Sequence, residues 1–199
     1  MGLFDSIMGR SKPARPDLDQ LFGLPSAALT LEASLGFVAT GSGSVAFRAP
    51  EGRAFSDVQS DVQALLDAGE GPKVESVQDT YGYTWLVCRT DPPDLSSLVT
   101  DLHAVNSSLQ DSGFGPTLLC SLVGFADPSG RALGLVYLFK QGTFYPFAPA
   151  ADGKALDGST PQRRDNLLEL QVKDLLADDV RIEPTLSRWF PVWGAPGLG

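Results

Sequence analysis

Apolar residues recur every three to four positions in four stretches of the chain, a spacing that places them on one face of an α-helix. The four stretches are residues 25–35, 54–67, 94–112 and 160–177. The third is the clearest, because Asp94 is a residue type that caps helix N-termini and Gly113 is one that ends helices. The pattern therefore predicts four helices in the body of the chain.

Short apolar runs bounded by glycine, proline or aspartate lie between these helices and predict β-strands. The predicted strands are 37–40, 44–48, 74–77, 81–90, 117–126, 131–140 and 143–147. Gly41-Ser42-Gly43 predicts the turn of a hairpin between the first two strands, and Asp127-Pro128-Ser129-Gly130 predicts a later turn. Strands joined by such short turns pair antiparallel.

A helix followed by antiparallel strands recurs three times before the final helix, although no residue-level repeat accompanies this order. The predicted fold class is therefore α+β, an antiparallel sheet with helices packed on it. We expect residues 17–199 to form a single domain and residues 1–16 to be a separate N-terminal tail.

The tail, residues 1–16, differs in pattern from everything after it. Its apolar residues recur at helical spacing and its basic residues follow them: Leu3, Phe4, Ile7, Met8, Arg10, Lys12 and Arg15. A one-sided apolar helix followed by basic residues is typical of a segment that lies in the interface of an anionic membrane or binds a partner helix. The alternative is that the tail frays or docks on its own domain.

Three large aromatic residues, Trp189, Phe190 and Trp193, follow Arg188 near the end of the chain. If they are exposed, these four residues form a docking patch for a partner. The alternative is an extended C-terminal strap that fills the core beside the aromatic residues of 143–147.

Charge and composition exclude several classes of protein. The chain has 15 basic and 24 acidic residues and a formal net charge of −9, which argues against nucleic acid as a partner. Its apolar runs are too short to span a bilayer and its start lacks a signal-peptide pattern, so we expect a cytoplasmic protein. Cys88 and Cys120 each lie in an apolar run and are predicted to be buried thiols.

Candidate chemistry is sparse. The chain has one histidine, no Cys-x-x-Cys or His-x-x-x-His pair and no phosphate-binding glycine loop, so no metal and no cofactor are expected. His103, the one candidate base, projects to the flank of its helix. Asn106 lies near the centre of that helix's apolar face, where it either binds a neighbouring backbone group or forms a polar pocket with His103. These residues give no catalytic constellation, and the protein is predicted not to be an enzyme.

Four segments resemble the PspA-associated protein B family. They are residues 1–6, 101–106, 142–147 and 186–197. The resemblance implies an accessory protein of the phage-shock envelope-stress response, associated with PspA and in some cases with the membrane protease HtpX. The family has no established catalytic residues to carry over.

The leading hypothesis is a non-enzymatic adaptor that binds a PspA-type or HtpX-type partner at the inner face of the cytoplasmic membrane. The alternative is a stand-alone peptide-binding or client-binding protein similar to secretion chaperones such as YbjN. An adaptor at the bilayer should need Leu3, Phe4 and Ile7, whereas a soluble chaperone should not.

Overall fold

The computed structural model describes residues 16–48, 57, 60, 64, 74–91, 93–150 and 162–198. Within this part of the chain the elements run α1 (Leu24–Leu35), β1 (Val38–Arg48), β2 (Glu75–Gln78), β3 (Tyr83–Arg89), α2 (Leu95–Leu109), β4 (Leu118–Ala126), β5 (Ala132–Leu138), β6 (Thr143–Phe147) and α3 (Asn166–Leu175). The predicted helix at 54–67 lies mostly outside the described residues, although Asp57, Ser60 and Ala64 are helical and exposed. The predicted α+β class is confirmed.

The ends of the helices follow their local sequence. α1 has Pro25 in its first turn and ends at Gly36. The carboxylate of Asp94 accepts hydrogen bonds from the backbone N–H groups of Ser96 and Ser97 and so caps α2 as predicted. Beyond Leu109, α2 continues into one turn of π-helix, Gln110–Phe114.

The last helix begins later than the predicted residue 160. Residues 160 and 161 lie outside the described part, and the helical segment there starts at Asn166, with Asp165 as its cap. The residues just before it are extended, because Ala150 N–H donates to Arg163 and Asp165 N–H donates to Ala148. These bonds hold residues 163–165 in an extended conformation, so the helix starts only after them.

The six described strands form one sheet in the order β2-β3-β1-β4-β5-β6, and every neighbouring pair is antiparallel. The predicted hairpin at Gly41-Ser42-Gly43 is wrong, because β1 is one continuous strand of 11 residues paired on both sides. Gly41 has φ +74, and its backbone is so close to Thr90 that a Cβ would lie 2.7 Å from the Thr90 carbonyl oxygen. The glycine therefore allows an irregularity within the strand, where the register against β4 shifts between Ala39 and Gly43.

Helices cover one face of this sheet. Residues such as Val45, Phe47 and Leu86 point to that face and share a core with the buried leucines of α1 and α2. The fully buried residues Tyr137 and Phe144 extend the same core towards α3, with ring centroids 5.2 Å apart. We call this side the helix face.

The opposite face is covered by the end of the chain. Alternate residues of the strands, among them Ala46, Trp85 and Cys120, point there and form a second core with the C-terminal strap, residues 188–198. Two contacts set the path of the strap. Ser44 Oγ donates to the Pro196 carbonyl at 2.7 Å, and a Cβ on Gly124 would overlap the carbonyl oxygen of Gly197. We call this side the strap face.

Candidate functional site

A groove of about 720 Å³ opens on the strap face, at the end of the sheet where β3 begins. Its floor is one row of paired residues across the strands, since Ala46 is opposite both Trp85 and Cys120, and Cys120 is opposite Leu138. Ala46 and Cys120 are smaller than the residues on either side of them. The row is therefore low in its middle, and we call this depression the strap groove.

Aromatic side chains form much of the walls of the strap groove. Tyr81 and Tyr83 stand on the β3 side, and Phe190 and Trp193 of the strap stand on the other. Tyr81 is 67% exposed and Phe190 is 61% exposed, values that are unusual for large apolar residues facing a cavity. Exposed aromatic groups beside a concave apolar floor favour binding of an apolar group.

The rim of the strap groove carries few charges. Lys140 and Arg188 are exposed at one end, and Asp79 lies at the other. The Asp79 carboxylate accepts from the Trp85 indole Nε1 at 2.9 Å and from the backbone N–H of Tyr83 at 2.9 Å. Asp79 therefore holds the wall in place, whereas the exposed Lys140 at the opposite end is the charge that a ligand can reach.

Two ring contacts and one hydrogen bond help to fix the strap wall to the sheet. The rings of Tyr145 and Trp189 are stacked with centroids 6.0 Å apart, and Phe147 meets Trp193 edge-on at 4.8 Å. The hydroxyl of Tyr145 donates to the Phe190 carbonyl at 2.8 Å. Phe190 is thus anchored through its backbone while its side chain stays exposed.

A buried carboxylate, Glu183, ties the start of the strap to β6. It accepts hydrogen bonds from Thr143 Oγ1 at 2.8 Å and from the backbone N–H of Thr185 at 3.0 Å, and Arg188 Nη1 lies 3.3 Å away. The Trp189 indole donates to the Glu183 carbonyl. Burial raises the pKa of Glu183, but the hydrogen bonds and the charge of Arg188 outweigh burial, so the pKa lies below its ordinary value.

Because the pKa of Glu183 is lowered by folding, its ionised form should stabilise the protein at neutral pH, and that contribution should disappear as the pH falls through the folded-state pKa. Glu183→Gln should therefore be less stable than the wild type near pH 7, and the difference should shrink on acidification below roughly pH 4. Urea unfolding of both proteins between pH 7 and pH 3 measures this. Parallel acid profiles for the two proteins would contradict the assignment.

A second buried carboxylate connects the strap to α3. Glu169 accepts from Arg164 Nε at 2.8 Å and from the backbone N–H of Ala148 at 2.9 Å. Arg164 also donates to the Trp189 carbonyl at 2.7 Å and lies over the Phe147 ring. This pair is not among the residues predicted from the sequence, although a glutamate beside Leu168 on an apolar helix face is a signal for it.

The four residues Arg188, Trp189, Phe190 and Trp193 differ in exposure, and this bears on the choice between a docking patch and a strap that fills the core. Trp189 is 5% exposed and Trp193 is half-buried, as a strap that fills the core requires. Arg188 and Phe190 are exposed at the strap groove, as a docking patch requires.

His103 and Asn106, the two residues of the possible polar pocket, have different partners in the structure. His103 faces the 3-10 turn Leu18–Gly23, where Nε2 lies 3.6 Å from the Asp19 carboxylate. Asn106 is fully buried and donates to the Leu102 carbonyl and to Ser121 Oγ. Three positions along a helix turn the side chain by about 60°, which is enough to place one residue at the flank and the other against the sheet.

The seven tail residues singled out by the sequence lie outside the described residues.

Cys120 lies on the groove floor, where burial raises the pKa of its thiol to about 12, so it remains protonated at neutral pH. Among the described residues no three histidine, cysteine or carboxylate side chains come together as metal ligands. The apolar floor and aromatic walls of the strap groove suit it to binding apolar groups.

Comparison with known proteins gives one match. The family model described as PspA associated protein B matches residues 1–197 of the chain. No curated protein and no solved structure matches it. In the described part of the chain, every helix is too short or too polar to cross a membrane.

Proposed function

The chain belongs to the PspA associated protein B family, and on this premise we propose that it is a non-enzymatic accessory protein of the phage-shock response that binds a protein partner through the strap groove. The family description implies association with PspA, and PspA is therefore the partner that we propose. The observation that carries the proposal is the exposure of Tyr81 and Phe190 beside an apolar floor.

Aromatic residues at the edge of a concave site are effective contacts for another protein. They bury a large area and lose little conformational freedom on binding, which is why tyrosine and tryptophan dominate binding hot spots. The aromatic residues of the strap groove are also held in place by hydrogen bonds. The Tyr145 hydroxyl donates to the backbone carbonyl of Phe190, and the Trp85 indole donates to the Asp79 carboxylate. A surface that is rigid before binding gives more affinity for the same area.

The polar groups around the groove favour binding over catalysis. The hydroxyl of Tyr145 is engaged with the Phe190 carbonyl, and the Asp79 carboxylate is engaged with Trp85 and Tyr83. A general acid or base needs a free titratable group aimed at the reacting atoms. The protonated thiol of Cys120 is a poor nucleophile. These features support a non-enzymatic role.

We place this activity in the cytoplasm, at the inner face of the membrane. The support is the tail, whose apolar residues Leu3, Phe4, Ile7 and Met8 precede three basic residues that anionic lipid would attract. A protease of the HtpX type is the second partner that this location would allow. Nucleic acid is not proposed as a partner, because the formal net charge is −9.

Replacing the two exposed groove aromatics, Tyr81→Ser with Phe190→Ser, should weaken binding to purified PspA from the same organism by at least about tenfold, since each lost aromatic contact is worth 1 kcal/mol or more. The matched control is Leu29→Ser with Leu167→Ser. These two residues are 70% and 79% exposed and belong to α1 and α3, away from the groove. Isothermal titration calorimetry of the wild type and the two double variants measures the three affinities.

Equal weakening by both double variants would contradict a specific role for the groove. A wild-type protein that does not bind PspA but binds unfolded client peptides through Tyr81 and Phe190 would instead support the chaperone-like alternative. If an HtpX-type protease bound in the same assay with the same dependence on Tyr81 and Phe190, the protease would be the partner and the strap groove would remain the binding site.

A further inference from the structure

We propose, resting on the proposed function, that the segment of the partner that the strap groove binds is an amphipathic α-helix. An acidic residue at one end of the apolar face of this helix lies next to Lys140. Three features of the groove lead to this shape and charge: the paired backbone of its floor, its length and volume, and the charge at one of its ends.

The backbone of the groove floor is paired on both sides within the sheet. The strands of the floor, β3, β1, β4 and β5, each have a neighbouring strand on either side. Trp85, for example, is opposite Val77 in β2 and opposite Ala46 in β1. A peptide adds to a sheet as a further strand only at an edge. An extended peptide therefore cannot pair with this floor.

A segment bound on such a floor has to satisfy its own backbone N–H and C=O groups, because a backbone group that loses water and finds no partner costs free energy. Two polar side chains at the groove are already engaged. The Tyr145 hydroxyl donates to the Phe190 carbonyl, and the Asp79 carboxylate accepts from the Trp85 indole. An α-helix pairs its own backbone groups and can lay an apolar face in a hydrophobic groove. The floor therefore favours a helix over an extended peptide.

The length and volume of the groove fit one face of a short helix. The floor crosses the sheet from Trp85 in β3 to Leu138 in β5, and at about 4.8 Å between neighbouring strands this distance is about 14 Å. A helix rises about 1.5 Å per residue, so about nine residues cover it. A helix of this length and about 11 Å across occupies roughly 1,300 Å³. The groove of about 720 Å³ holds about half of that volume, so the other half stays in water and the bound helix is amphipathic.

The charge at the β5 end of the groove determines which polar residue belongs beside the apolar face. Lys140 follows β5 and is exposed, and within the described part of the chain its ammonium group has no hydrogen-bond or ion-pair partner. Arg188 is nearby, with Nη1 3.5 Å from Gln141 Oε1, but its charge is offset by Glu183 at 3.3 Å. Opposite charges across an interface fix orientation more than they add affinity. An acidic residue next to Lys140 therefore sets the direction of the partner helix in the groove.

Fluorescence anisotropy of labelled model peptides with the full chain tests the shape of the bound segment. The first peptide has about 14 residues, with leucine and phenylalanine at helical spacing and two glutamates at one end of the apolar face. The second has the same composition, with leucine and phenylalanine at alternate positions, the spacing of a strand. The helical peptide should bind at least about tenfold more tightly than the second. Tyr81→Ser with Phe190→Ser should weaken its binding, as expected for a peptide in the strap groove.

Charge exchange at Lys140 tests the orientation of the helix. Lys140→Glu should weaken binding of the helical peptide about fivefold at low salt, the effect expected for one exposed charge pair. Replacing the two glutamates of the peptide by lysines should restore the affinity for this variant, which an indirect structural effect of the substitution would not do. The matched control is Lys173→Glu, a lysine of α3 that does not line the groove, and it should leave both affinities unchanged.

Equal affinities for the two peptides, or no recovery with the lysine peptide, would overturn the proposal. So would the absence of binding by either peptide up to about 1 mM. Decanoate that bound more tightly than the helical peptide would show that the groove holds lipid chains, and would overturn it as well. None of these outcomes bears on PspA binding through Tyr81 and Phe190, which calorimetry measures separately. Conversely, a helical peptide that binds in the groove of a protein that does not bind PspA would reject the proposed function alone.

Discussion

Replacing Trp189 by alanine should lower the free energy of unfolding by roughly 3–5 kcal/mol, the range found for large aromatic residues in protein cores. Trp189 is 5% exposed, stacks on Tyr145 and donates its indole N–H to the Glu183 carbonyl. Its removal leaves a cavity between the strap and β6 and takes away the partner of a buried carbonyl. Urea denaturation monitored by far-ultraviolet circular dichroism measures the loss.

The neighbouring aromatic residue provides the control. Phe190→Ala removes a side chain that is 61% exposed, and the Tyr145 hydrogen bond is made to the backbone carbonyl, which alanine keeps. Its effect on stability should stay within about 1 kcal/mol, as for most surface substitutions. If the two variants lost equal stability, the strap would not be the core element that the contacts of Trp189 indicate.

Local sequence signals account for the parts of the fold that were predicted correctly. α2 is specified by one capping aspartate and by leucines at helical spacing, and both act within a few residues of each other. The strands β4, β5 and β6 are separated by short turns, so their antiparallel pairing follows from the chain itself. Such features need no knowledge of the rest of the molecule.

The predicted hairpin at Gly41-Ser42-Gly43 is wrong because a glycine pattern of this kind is compatible with two different backbone structures. Glycine suits a tight turn, but it also suits a strand whose backbone approaches a neighbour. In the structure it is the second purpose that applies, since the Thr90 carbonyl lies where a Cβ of Gly41 would be. Thr90 is 49 positions away in the sequence, and no local pattern shows this contact.

The strap groove could not be predicted from the sequence, because its floor also depends on contacts between distant segments. The residues at 188–193 are recognisable in the sequence as a cluster of aromatic side chains, but the apolar floor beside them is not. That floor exists because Ala46 and Cys120 are opposite each other in the register of β1 and β4. Two small residues from distant segments form a depression only once the strands pair. One wall of the strap groove can therefore be predicted from the sequence, whereas its floor follows only from the pairing of β1 with β4.

Replacing Leu3, Phe4 and Ile7 by serine should abolish binding of the full chain to anionic vesicles. Each side chain that is fully buried in the interface contributes roughly 2 kcal/mol, so three losses exceed the affinity that a short amphipathic segment can have. Flotation of wild type and variant with vesicles of phosphatidylserine and phosphatidylcholine measures the effect. Circular dichroism of the variant in solution should match the wild type, because the substitutions lie outside residues 17–199, the segment predicted to form the domain.

Charge reversal of Arg10, Lys12 and Arg15 to glutamate is the matched comparison, and its expected effect is smaller and of a different kind. Each basic residue near an anionic surface contributes only about 1 kcal/mol, and this attraction is screened within a Debye length. The loss should therefore be clear at low salt and small at high salt, whereas the loss caused by the serine substitutions should be the same at both. A wild-type chain that never floats, with or without PspA, would refute the membrane role of the tail.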